Sequence, residues 1–80
     1  MTDSLDSALE PLADHIRGIG DHQARFAEVE AAERLFLALK RALLQEIALG
    51  LRAEGKKWKE IGEVMGGVTY QRAFQMGRGQ

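Results

Sequence analysis

Residues 55–76 run Gly55-Lys56-Lys57-Trp58-Lys59-Glu60-Ile61-Gly62-Glu63-Val64-Met65-Gly66-Gly67-Val68-Thr69-Tyr70-Gln71-Arg72-Ala73-Phe74-Gln75-Met76. Their spacing predicts two short helices joined at a glycine turn. Gly55 suits the position just past a preceding helix, where a left-handed residue is needed. A helix is then expected from about Trp58 to Met65, followed by the turn Gly66-Gly67-Val68. Thr69 is a candidate N-cap for a last helix ending near Met76. The remaining Gly77-Arg78-Gly79-Gln80 is expected to fray.

Two short helices that cross closely make specific demands. Ile61-Gly62 supplies an apolar residue followed by a small one, so that the second helix can approach. Val64 and Met65 close the corner one turn later. Gly66 or Gly67 permits a left-handed bend, and Val68 anchors the second helix. Ala73 and Met76, three apart, are expected on its inner face, and Trp58 in the core. Tyr70, Gln71, Phe74 and Gln75 then face outward, with Thr69 and Arg72 at the start. Gln pairs bidentately with adenine and Arg with guanine, and an aromatic edge touches the thymine methyl. The expected DNA base contacts are therefore Thr69, Tyr70, Gln71, Arg72 and Gln75. Lys56, Lys57 and Lys59, before and at the start of the first short helix, are placed for phosphates, as is Arg78 beyond the second.

Working back from Gly55, residues 21–54 contain no proline and mostly good helix formers, with Asp21 as a plausible N-cap. One helix is expected across this span, about 50 Å long at 1.5 Å per residue. The single Gly50 costs about 1 kcal/mol relative to Ala and does not break it. From Leu35 on, apolar residues point around nearly the whole circumference, and such a helix is covered on more than one side. The flanking helices cover part of it. A second copy of the chain is expected to cover the rest through Phe36, Leu39, Leu43 and Ile47. Further back, Ser7-Ala8-Leu9-Glu10 fits a capping box. Pro11 would then fall in the first turn, where its missing N–H has no helical partner. The first helix is expected over about 7–18, with Leu5, Leu9, Leu12, Ile16 and Ile19 along its seam and Gly18 and Gly20 at its end. The expected fold is all-α and a helical homodimer. Residues 1–54 form a core and dimerisation region, and residues 55–80 a helix-turn-helix.

Trp58-x-Glu60-Ile61-Gly62-x-x-Met65-Gly66, then Val68-Thr69-x-Gln71-Arg72-Ala73-x-Gln75-Met76, resembles small actinobacterial-type helix-turn-helix proteins. Their motif is similar to that of sigma factor region 4. The resemblance covers roughly residues 50–76 and is generic before that. It implies a DNA-binding regulator with a helical amino-terminal portion and a recognition helix carrying Thr69, Tyr70, Gln71, Arg72 and Gln75. The chain departs from the pattern twice. Lys57 stands where such motifs place a Ser or Thr cap, against the helix dipole, and the pair Gly66-Gly67 lengthens the turn by one residue.

Eighty residues make at most one domain with a modest core, and the absence of cysteine removes disulfides and thiolate metal sites as remedies. Dimerisation is the remaining inexpensive one. The net charge of −1 hides a split. Residues 1–34 hold eight acids against three bases, leaving −5, and residues 35–80 hold eight bases against four acids, leaving +4. The carboxyl half is therefore the one expected to meet a polyanion. The acidic, polar start of the chain does not look like a secretory leader. The apolar window 35–51 is broken by Lys40, Arg41, Gln45 and Glu46, so no membrane span is expected. His15 and His22 each follow an aspartate, but no further ligand accompanies them and no metal site is expected. No nucleophile–base arrangement or phosphate-cradling loop stands out, so neither an enzyme nor a cofactor is expected.

These features together predict a bacterial, cytoplasmic, nucleoid-associated transcription regulator that binds double-stranded DNA as a homodimer. Two alternatives stand beside it. One is a protein-interaction module that engages RNA polymerase or a sigma factor, with the carboxyl-terminal segment as scaffold. The other is a phage or plasmid DNA-binding accessory factor.

Overall fold

A computed structural model of the protein describes residues 2–80, with side-chain environments from Ser4. The described residues form four helices: α1 (Thr2–Arg17), α2 (His22–Ala53), α3 (Trp58–Val64) and α4 (Tyr70–Gly77). No strand occurs among the described residues, so the fold is all-α. None of these helices is long and apolar enough to cross a membrane. Two compact units are present, one up to Leu35 and the other Phe36–Gln80, with the division inside α2.

In the first unit, α1 begins five residues earlier than the capping-box signature indicates. Ser7 and Glu10 lie inside the helix, where no free amide is left for a cap, and Pro11 is interior rather than in the first turn. Interior proline costs about 3 kcal/mol, because the carbonyl four residues back loses its partner and meets the ring. Here that carbonyl belongs to Ser7, and both residues are exposed, so water can solvate it. The amino end of α2 follows expectation: an Asp21 side-chain oxygen accepts the Ala24 N–H at 2.8 Å. Arg25 donates twice to the Ile19 carbonyl, at 2.7 and 3.1 Å, closing the connection between the helices. His15 Nε2 lies 2.7 Å from Glu28 Oε2, and His22 Nδ1 faces Arg25 at 3.4 Å. Each histidine thus has its own partner, and no metal-holding group of three side chains occurs among the described residues. No described side chain of this unit is fully buried, as expected for a two-helix hairpin with so little to pack against.

The second unit holds the core. Ala48 of α2, Ile61 of α3 and Ala73 of α4 are fully buried, with Leu51, Trp58, Met65 and Val68 packed around them. Burying Ile61 contributes about 1.5–3 kcal/mol. Of the two residues expected to close the corner, Met65 packs on this core and Val64 is exposed. Gly50 lies within α2 without interrupting it.

Three helices end at left-handed glycines, α2 and α4 by the same pair of backbone bonds and α3 by a longer turn with two glycines. After α2, Gly55 has φ +92°, with Lys56 N–H on Leu51 and Gly55 N–H on Arg52 carbonyls at 3.1 and 3.0 Å. After α3, Gly66 and Gly67 have φ +95° and +80°, and the Gly62 carbonyl accepts both the Gly67 and Val68 amides at 3.0 Å. After α4, Gly79 has φ +83°, with Gln80 N–H on Gln75 and Gly79 N–H on Met76, both at 3.0 Å. The last of these overturns the expectation of a frayed tail. Residues 77–80 are folded back, and Gln45 of α2 donates to the Gly77 carbonyl at 3.2 Å.

Candidate nucleic-acid interface

The turn between α3 and α4 fixes how α4 is displayed. Gly62 is buried, and a Cβ on it would collide with the Val68 carbonyl oxygen. Only a residue without a side chain lets the entry to α4 pass this close. The Thr69 side chain accepts the Arg72 N–H at 3.1 Å, capping α4 as its sequence position indicates.

With α4 started there, its 3.6-residue period sorts its side chains. Ala73 and Gly77 are buried and Met76 is half-buried, so these form the inner face. Thr69, Tyr70, Gln71, Arg72, Phe74 and Gln75 are exposed. Trp58 of α3 is half-buried against this helix. It meets Phe74 edge-on at 5.4 Å and 89°, while the Arg52 guanidinium covers its ring at 5.6 Å. A Cβ on Gly77 would sit 2.7 Å from the Trp58 ring. Trp58 is thus packing, not a free stacking platform.

The exposed polar residues line two clefts that share Tyr70 and Gln71. Lys59 and Glu63 of α3 line one with Thr69, Tyr70 and Gln71, of about 350 Å³. Tyr70, Gln71, Phe74, Gln75 and Arg78 border a second of similar volume beside Trp58. Arg72 belongs to neither. It turns to the flank facing α2 and lines a smaller cleft of about 190 Å³ with Lys40 and Arg41, its guanidinium donating to the Gln80 carbonyl at 3.2 Å.

The expected phosphate-facing cations are also spread out. Lys56 and Lys57 are exposed ahead of α3, and Lys59 is exposed on its first turn. Lys57 is the N-cap, and the Glu60 carboxylate accepts its N–H at 3.0 Å. This is half of a capping box, because a lysine ammonium has no acceptor to return. Arg78 lies over the Phe74 ring at 5.7 Å.

Lys40, Arg41 and Glu63 have places at these clefts that spacing within 55–76 does not reveal. A signal for Arg41 exists: it stands seven residues before the buried Ala48, two turns back on the same face of α2. Phe36, Leu39, Leu43 and Ile47, spaced three, four and four, are 58%, 54%, 46% and 49% exposed. They form a stripe on a different face of α2 from Ala48. The chain matches no protein-family model, no curated protein and no solved structure.

Proposed function

We propose that the protein is a sequence-specific DNA-binding regulator, with α3 and α4 serving as a helix-turn-helix. The observation that carries this reading is the display of α4: Ala73 and Gly77 are sealed inside while Gln71 and Gln75 stand in solvent. Polar side chains on one face of a short, rigidly capped helix are what major-groove readout requires. The positive balance of residues 36–80, eight bases against four acids, supplies attraction to phosphate.

In this reading Thr69, Tyr70, Gln71 and Gln75 meet base edges, and Lys56, Lys57, Lys59 and Arg78 meet the backbone. Glu63, beside Gln71, adds an acceptor suited to cytosine N4. The stripe of Phe36, Leu39, Leu43 and Ile47 pairs two copies in the bacterial cytoplasm, setting two α4 helices about 34 Å apart or a multiple of it. Selection of bound fragments from random duplex DNA tests binding and half-site symmetry together. Enrichment of a short inverted repeat is expected, and no enrichment at low salt would refute the reading.

The same apolar stripe favours one rival. A helix face this apolar also suits a protein partner such as RNA polymerase or a sigma factor. Titration of labelled duplex at two salt concentrations separates the two: steep salt dependence belongs to DNA binding, and no binding at low salt to the rival.

A further inference from the structure

Lys40 and Arg41 of α2 and Arg72 of α4 line one cleft of about 190 Å³ with Leu37, Leu44 and Gln80. No aspartate or glutamate side chain lines it. Among the described residues the side-chain salt bridges are His15–Glu28 and Asp14–Arg17, so none of the three cations is paired with an aspartate or glutamate side chain, and Arg72 alone has a main-chain oxygen, that of Gln80, at 3.2 Å. Three like charges around one concavity repel one another, and an anion seated among them relieves that repulsion. The leucines give the cleft an apolar wall, which concentrates the field in the opening. Its volume is below the roughly 300–1,000 Å³ of small-molecule pockets, a size for one anionic group rather than a nucleotide.

We propose that this cleft is a phosphate seat that grips the DNA backbone beside the groove entered by α4. The proposal rests on the DNA-binding reading and gives Arg72 a different role from the base contact expected from the sequence. A helix lying in the major groove turns its outer face to the bases and its flanks to the groove walls, which are phosphate backbone. Gln71 and Gln75 hold the outer face, and Arg72 sits on the flank facing Lys40 and Arg41. One of its five N–H donors is committed to the Gln80 carbonyl, which fixes the planar fork while other donors remain for phosphate oxygens. Arg72 is therefore a backbone contact, not a reader of guanine.

The test measures duplex affinity against salt for wild-type, Lys40→Gln/Arg41→Gln and Arg72→Gln proteins, all checked for helicity. Because the seat holds one phosphate, the double variant and Arg72→Gln are each expected to lower the slope of log K on log salt by up to about 0.9. The ratio of affinities for selected and scrambled duplexes should stay within about twofold for each, as for contacts that carry no sequence information. Arg41→Lys should retain the slope. A second arm titrates pyrophosphate into nitrogen-15-labelled protein. The side-chain Nε–H signals of Arg41 and Arg72 should move while that of Arg17 stays.

If wild-type protein binds duplex and the double variant keeps its slope, the phosphate seat is refuted and the DNA reading survives. Loss of about tenfold in selectivity by Arg72→Gln with an unchanged slope refutes it equally, since Arg72 would then read a base. If wild-type protein binds no duplex but pyrophosphate moves the two arginines, the DNA reading fails and the anion seat stands. If pyrophosphate moves neither signal, there is no seat.

Discussion

Gly62 and Val68 meet backbone to backbone: the Gly62 carbonyl accepts the Val68 N–H at 3.0 Å, and a Cβ on Gly62 would strike the Val68 carbonyl oxygen. The display of α4 depends on this contact, because Val68 and Thr69 lead directly into that helix. A methyl group here meets backbone, which cannot rotate aside as a side chain would. Gly62→Ala is expected to destabilise the second unit by about 3 kcal/mol or more, at or beyond the usual range for overpacking. Its urea midpoint should fall steeply. Gly50→Ala is the opposite case, since nothing lies within 4 Å of the added carbon. It should stabilise by about 0.5–1 kcal/mol through helix propensity.

Gly77 and Trp58 give a reporter for the other end of α4. Trp58 is the single tryptophan of the chain. A Cβ on Gly77 would lie 2.7 Å from its ring, which must then shift away from Phe74. Gly77→Ala is expected to move the emission maximum to longer wavelength and lower the melting temperature by several degrees, as about 1–2 kcal/mol does in a domain of this size. An unchanged spectrum would mean the tryptophan is not packed on this glycine.

Lys57 sets stability against binding. It caps α3 without an acceptor, so Lys57→Ser supplies one for the Glu60 amide and should stabilise by about 1 kcal/mol. Under the proposed function the same change removes a phosphate contact, lowering the salt slope by about 0.9. Denaturation and duplex titration of one variant should thus move in opposite directions. A stabilised variant with undiminished slope removes Lys57 from the backbone contacts.

The apolar stripe of α2 predicts self-association. Leu39→Glu/Leu43→Glu places two charges in it, at positions that are exposed within a single chain. Sedimentation should give a dimer for the wild-type protein and a monomer for the variant, with the helical signal of the second unit retained. A wild-type monomer at micromolar concentrations would instead favour the protein-partner reading of this face.

The sequence by itself determined the all-α class, the position of α2 and the caps at Asp21, Gly55 and Thr69. These depend on interactions within about five residues, where a side-chain acceptor or a missing Cβ acts on its own backbone. The same locality misled at Ser7–Glu10, because the spacing that caps a helix start also occurs inside a helix. The inward turn of Ala73 was legible from period alone. The tail is capped locally at Gly79, and the tertiary structure adds the hold of Gln45 from thirty-two residues away. Only the tertiary structure turned Arg72 from the line of Gln71 toward Lys40 and Arg41. Periodicity assigns a residue to a face of its own helix, but which neighbour that face meets is set by the close passage at Gly62.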